Sequence, residues 1–218
     1  MFQHRLPEEP TLPAVTKGRH ADAYQCILAL VGRGLRNTDQ STLAQSLRRI
    51  DLQIRALALL TLQTEAEIGA GGGFWCCASQ YIRALSEQLE ISCLKDRGIA
   101  RHLSLPKYML RPEDQCRNLG LILIDLVVQF STCDFSGVRT PAIDVILCAA
   151  SGEATRLVAA SNGQTDPGWP SATVGGMDFV RTLARSMGAS WTVEGDAAGS
   201  FFDLVVAESP RPVSAGFS

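Results

Sequence analysis

The clearest hydrophobic pattern in the chain follows Ser41. Its core-type positions recur in steps of four and three, at Leu43, Leu47, Ile50, Ile54, Leu57 and Thr61. Such spacing places one face of a helix against another helix. Residues 17–36 show similar helical spacing, and a turn at residues 37–39 separates the two segments. We therefore predict a helical hairpin whose long apolar faces pair with a second copy, giving a dimeric four-helix bundle.

The second half of the chain alternates between helical and strand-like patterns. Helices are predicted over residues 77–89, 113–131 and 176–187. Strands are predicted within residues 92–105 and at residues 142–149, 154–160, 190–194 and 200–207. Runs of antiparallel strands mixed with helices indicate an α+β layer in which helices cover one sheet face.

Glycine-rich residues 68–73 separate the two halves and predict a linker. The resulting domain organisation has four parts: a loose tail at residues 1–15, a helical hairpin at 16–70, an α+β domain at 74–208 and a second tail at 209–218.

Composition narrows the class of protein. The chain has 218 residues, of which 46% are hydrophobic and 19% are charged, with a net charge of −2. These values fit a folded protein and argue against general binding to nucleic acid. The seven cysteines are odd in number and form no CxxC pair, so neither a disulfide framework nor a metal site is expected. Without a signal peptide or a run of about 18 apolar residues, a cytoplasmic location without a membrane partner is expected.

Two short segments carry a family resemblance. They are Ile54-Arg55-Ala56-Leu57-Ala58 on the second predicted helix and Leu119-Gly120-Leu121-Ile122-Leu123 on a later one. With the order of elements, they resemble the core of two-component sensor histidine kinases of the HWE and related second-type families, although the Trp-x-Glu signature of the HWE group is absent. The resemblance covers residues 17–206. It implies an antiparallel helical hairpin, dimeric as a four-helix bundle, followed by a Bergerat-type α/β sandwich.

Several catalytic positions of that family are altered here. In the register of the resemblance the phosphoacceptor position is Gly18, which cannot carry a phosphoryl group, and His20 lies about 200° further around the helix. Asp125 stands where an acid activates the attacking histidine, and Gln129 replaces a metal-binding asparagine. Asp125 also has a simpler interpretation as a helix-surface or capping residue.

The phosphate- and adenine-contacting motifs are altered too. A cationic pair after the long helix is replaced by Thr132 and Cys133, and Phe130 replaces an alanine. The Asp-x-Gly-x-Gly box reads Ser161-Asn162-Gly163-Gln164-Thr165, and the Gly-x-Gly-Leu lid reads Val174-Gly175-Gly176-Met177. The resemblance thus implies a degenerate ATP site comprising Asp125, Gln129, Asn162, Gly163 and Gly176. The final Gly-Thr-x-Phe motif, here Gly199-Ser200-Phe201-Phe202, is expected mainly to support the sheet.

These losses favour a catalytically inactive histidine-kinase-like protein that dimerises and modulates two-component signalling. Its expected partner is a response regulator or a partner kinase. No cofactor is expected, with ATP and Mg²⁺ bound only if the altered site functions. Arg48, Arg49 and Arg55 form either a solvated face or a docking surface for a receiver domain. Two alternatives stay open: a phosphotransferase relaying phosphate through His20, or an active kinase using Asp125 and Gln129 to support Mg²⁺.

Overall fold

The computed structural model describes residues 43–65, 74–151, 154–165, 176–196 and 198–207. These contain four α-helices: α1 (Leu43–Gln63), α2 (Ala78–Leu89), α3 (Glu113–Phe130) and α4 (Gly176–Ser186). They also contain eight strands: β1 (Thr64–Glu65), β2 (Trp75–Cys77), β3 (Ala100–Ser104), β4 (Leu110–Pro112), β5 (Ala142–Ala149), β6 (Thr155–Ser161), β7 (Ser190–Asp196) and β8 (Gly199–Val206). The predicted α+β class is confirmed.

The strands form two sheets. The larger has the order β3-β5-β6-β8-β7 and the smaller the order β1-β2-β4. All neighbours in the larger sheet are antiparallel except β3 and β5, which run parallel from the Ala100–Ala142 pair onward. The expectation of purely antiparallel strands is wrong at this edge. Helix α3 lies between β3 and β5 in the chain and supplies the long crossover that a parallel pair needs.

The predicted helices α2, α3 and α4 are confirmed to within two residues at each end. The strand predicted within residues 92–105 is shorter than that window, because the chain after α2 stays helical. A π turn at Glu90–Leu94 and a 3-10 turn at Lys95–Arg97 precede Gly98, whose φ of 66° ends the helical segment. The smaller sheet was not predicted, since strands of two or three residues are too short to show alternation.

Helix α3 is the centre of the core. It packs against α1, α2, α4 and β6, and every residue from Leu119 to Phe130 is buried. A helix that is apolar on all sides is buried on all sides, which agrees with the sequence of this segment. In the described part of the chain, α1 supplies the cover for one side of α3.

Helix α1 has one buried face, which packs on α3, and one exposed face. Its buried face carries Leu52, Gln53, Ala56, Leu57 and Leu60. Asp51, Arg55 and Ala58 are exposed, whereas Ile50 and Ile54 of the predicted hairpin seam are half-buried. The other predicted helix of the hairpin, residues 17–36 with Gly18 and His20, lies outside the described residues, and so do both predicted tails.

The end of α1 is joined directly to the smaller sheet. Its last residue precedes β1, which pairs antiparallel with β2 through Thr64–Cys76 and Glu65–Trp75. The chain therefore enters this sheet from α1 and leaves β2 straight into α2. No helix among the described residues is both long enough and apolar enough to cross a membrane.

Candidate functional site

Asp125 lies in the middle of α3 and is completely buried. The side-chain amide of Gln53 donates a hydrogen bond to Asp125 Oδ1 at 3.3 Å, and Arg49 Nε lies 3.5 Å from the same oxygen. Both partners come from α1. The helix-surface interpretation of Asp125 is therefore wrong, because α1 covers the part of α3 on which this carboxylate lies.

The three arginines considered as one surface do not share one environment. The Arg49 side chain is only 22% exposed and faces Asp125, so it does not belong to a solvated face. Arg55 is exposed and pairs with Asp51 one turn away, at 2.8 Å. Arg48 lies in α1 as predicted. Of these residues, Arg55 is the one whose side chain the structure places on the surface.

Gln129 lies one turn after Asp125 and is 6% exposed. Neither side-chain amide atom has a hydrogen-bond partner among the described residues. Its backbone carbonyl is used within the helix end, because it accepts a hydrogen bond from Thr132 Oγ1 at 2.7 Å. The residue in the metal-binding position is thus a buried amide within the core rather than a surface ligand.

The turn after α3 satisfies the helix end. Ser131 Oγ donates to the Val128 carbonyl at 2.8 Å, and Arg97 donates to the carbonyl of Ser131. The last carbonyls of a helix carry partial negative charge. Thr132 and Cys133 add no positive charge there, and the cation that the structure places at this end is Arg97, which is bound to the Ser131 carbonyl.

The loop that replaces the Asp-x-Gly-x-Gly box is held by its own side chains. Asn162 Oδ1 accepts from the backbone amide of Ala142 at 2.9 Å, and Asn162 Nδ2 donates to the Thr140 carbonyl at 2.8 Å. Ser161 Oγ, in the position of the adenine-reading aspartate, accepts from the Gly163 amide at 3.1 Å. The two side chains therefore secure the start of β5 and the turn itself.

This loop and the turn after α3 lie against one another. A β-carbon at Gly163 would come within 2.7 Å of the Phe135 ring and 2.8 Å of Cys133 Cβ. Asp134 and Gln164 form a β-bridge with N–O distances of 3.0 and 2.8 Å. Phe135 and Cys133 therefore pack directly against Gly163 and leave no room for a side chain there.

The motif Gly199-Ser200-Phe201-Phe202 lies in β8, beside this closed loop. Gly199 has a φ of 145° and approaches the Ser161 carbonyl so closely that a side chain would not fit. Ser200 pairs with Ser161 in the sheet and is buried, with Cys133 Sγ 3.9 Å from its hydroxyl. These contacts agree with a supporting role in the sheet.

An open depression of about 370 Å³ lies at the β7–β8 turn. Its lining residues include Glu194 and Asp196 together with Ser161 and Ser200. Two carboxylates without a described cation make a poor phosphate site. Gly176 and Met177 begin α4, while Val174 and Gly175 of the glycine lid lie outside the described residues.

Sequence reasoning missed Gln53 and Phe135. A glutamine on the otherwise apolar face of α1 was a signal for a buried polar partner. An aromatic residue within the polar segment 131–137 was a signal that this turn packs inward.

Comparison with known proteins identifies the fold. No protein-family model and no curated protein matches the chain by sequence. The structure resembles the histidine kinase domain of the blue-light activated histidine kinase EL346 from Erythrobacter litoralis, with a TM-score of 0.63 and 16% identity, covering 85% of this chain and 94% of that one. A longer structure of the same kinase matches with a TM-score of 0.72 and 15% identity over 96% of this chain, which spans 63% of its length. At such identities the likeness concerns architecture, and the chain has the fold of a histidine kinase domain.

Proposed function

We propose that this chain is a catalytically inactive histidine-kinase-like protein of the HWE-related type. It dimerises through the predicted hairpin and modulates two-component signalling by binding a response regulator or a partner kinase. The observation that carries the proposal is the packing of Phe135 and Cys133 directly against Gly163, in the loop that the resemblance assigns to the nucleotide site.

Phosphoryl transfer requires a held metal ion, oriented phosphates and a positioned nucleophile. Gln129 is buried, and Asp125 is engaged by Arg49 and Gln53. The side chains after α3 that stand in for the cationic pair carry no positive charge. Because the phosphoacceptor position is also glycine in the register of the resemblance, we expect all three requirements of the reaction to be unmet.

Retention of the fold is explained by binding. One face of α1 is used against α3, while Ile50 and Ile54 lie half-buried on another side of the same helix. We assign this second stripe to the predicted hairpin and dimer contact. Among the residues of α1 whose exposure is described, 49–60, we assign the exposed stripe of Asp51, Arg55 and Ala58 to a receiver domain.

The catalytic part of the proposal is tested with the full chain, Mg²⁺ and γ-labelled ATP, with and without receiver domains. We expect no label on the chain, because the site neither holds the metal nor admits the triphosphate. An acid-labile label on the chain would overturn the proposal in favour of a divergent kinase.

A relay assay addresses the remaining enzymatic alternative. Receiver domains phosphorylated on aspartate are mixed with the chain or with the His20→Ala variant. No transfer with several receivers supports the binding role. Transfer to the chain that is abolished in His20→Ala would show a phosphotransferase instead.

The dimer is tested by sedimentation of Ile54→Glu beside Arg55→Glu. Both substitutions add a carboxylate to neighbouring positions of α1, but Ile54 is half-buried and Arg55 is exposed. We expect Ile54→Glu to be monomeric and Arg55→Glu to remain dimeric. Dimeric Ile54→Glu would contradict the assigned contact.

A further inference from the structure

We propose that Arg49, Gln53 and Asp125 form a clamp that fixes α1 on the kinase-like domain, so that the two move as one body. The inference rests on contacts between α1 and α3 and holds whether or not nucleotide binds. It gives the acid position a structural role that no resemblance to a kinase supplies.

The polar part of the clamp is compact. Arg49 and Gln53 are four residues apart, and therefore lie on one face of α1. Both approach the same oxygen of Asp125, at 3.5 and 3.3 Å. Gln53 is 2% exposed and Asp125 is fully buried. A buried carboxylate is tolerated only when it is paired and hydrogen-bonded, so loss of either partner is expected to be costly.

Apolar contacts surround these groups. Leu52, Ala56 and Leu60 of α1 are 1%, 0% and 2% exposed and belong to the same core as α3. Moving α1 away would expose these side chains together with the Asp125 carboxylate. The loss of apolar burial and the exposure of the Asp125 carboxylate therefore both oppose the separation of α1 from α3.

A second attachment lies at the end of α1. The helix leads without a break into β1, which pairs with β2, and β2 leads directly into α2. The helix is thus held in its middle by the clamp and at its end by a sheet. Rotation of the domain about α1 would have to break both contacts.

The clamp also has a consequence for chemistry. The carboxylate of Asp125 is held by side chains of its own chain, so it is unavailable to activate an incoming group. A partner that binds near α1 meets a fixed surface made jointly by α1 and the kinase-like domain.

Amide hydrogen exchange on the full chain tests the clamp, comparing Asp125→Asn with the unchanged protein. We expect residues 52–60 to exchange about tenfold faster or more, as loss of one charged hydrogen bond allows. Amides of β5 and β6 should change less than about twofold, because their contacts are retained. An equal acceleration in α1 and in the sheet, or no change in α1, would overturn the proposal.

The matched control is Asp51→Asn. It removes the exposed pair with Arg55 from the same helix without touching the clamp, and it should leave exchange in residues 52–60 unchanged. If Asp125→Asn fails to fold, Arg49→Met provides the second variant, since it keeps the stem of the side chain and removes its charge. Selective acceleration in α1 is expected again, and unchanged exchange there would contradict the clamp.

Discussion

Gly163 lies directly against the aromatic ring of Phe135: a β-carbon at this glycine would come within 2.7 Å of two ring carbons. The glycine thus makes room for a side chain of its own chain. In the proposed account, a position that the family uses at a nucleotide site has a packing role here.

Gly163→Ala should lower the free energy of unfolding by about 1–3 kcal/mol, because overpacking forces Phe135 and Cys133 to shift. Gly137→Ala is the matched control in a neighbouring loop, where the nearest atom to a new β-carbon is Gln164 Nε2 at 4.0 Å. Urea denaturation measures both variants. Equal losses would show that the contact with Phe135 is not tight.

Gly120→Ala should also lower the free energy of unfolding by about 1–3 kcal/mol, because the new β-carbon would overpack against a different residue. A β-carbon at Gly120 would lie 2.7 Å from ring carbons of Tyr81, which is fully buried. The double variant Gly120→Ala/Tyr81→Leu should lose less stability than the sum of the single changes. Strict additivity in urea denaturation would argue against this packing.

These glycines show which features a sequence can reveal. Apart from Asp125 and Gln129, Leu119–Phe130 is apolar on every side of the helix, and this pattern predicts the buried helix α3. Helix α4 and β5 to β8 were also predicted closely, since local periodicity determines them. Gly120 belongs to a retained segment, although its need for glycine becomes visible only with Tyr81 beside it.

Other features depend on distant contacts that local patterns do not carry. Gln53 and Asp125 are 72 residues apart, so their hydrogen bond follows from the docking of α1 on α3. The parallel pairing of β3 with β5 depends on the crossover through α3. The contact between Phe135 and Gly163 forms only when two loops, residues 131–135 and 161–165, pack against each other.

Stability should decrease at alkaline pH through Cys116. Contact with the Cys76 thiol, and then burial, raise the pKa of Cys116 well above its ordinary value. The pKa of a thiol in an unfolded chain is about 8.5. The stability that the buried Cys116 thiol contributes is therefore complete below that pH, and it is lost as the pH rises toward the pKa of the folded state.

Urea midpoints of the unchanged protein and of Cys116→Ala, at neutral and alkaline pH, check this sign. Other groups titrate in both proteins, so only the difference between them is informative. We expect the unchanged protein to lose more stability between the two conditions. The same loss in Cys116→Ala would show that this thiol does not contribute.

Arg55→Gln should weaken binding of a receiver domain by about tenfold at low salt, and less at high salt, because exposed charges are screened. Calorimetric titration with purified receiver domains measures the effect. Arg156→Gln is the control: it removes a comparable arginine, paired with Asp203 at 2.7 Å, from the large sheet. Equal weakening of receiver binding by both variants would contradict the prediction that α1 forms the docking surface.

The central claim is that the kinase-like site is closed to nucleotide. It is tested most directly by thermal unfolding of the full chain with increasing Mg·ATP, repeated with Mg²⁺ alone. We predict an unchanged midpoint up to millimolar nucleotide, because Phe135 and Cys133 pack against the glycine loop that would face the nucleotide. A ligand at 100 times its dissociation constant would add about 2.7 kcal/mol of stability. A midpoint that rises from micromolar Mg·ATP upward, in proportion to the logarithm of its concentration and not with Mg²⁺ alone, would contradict the account.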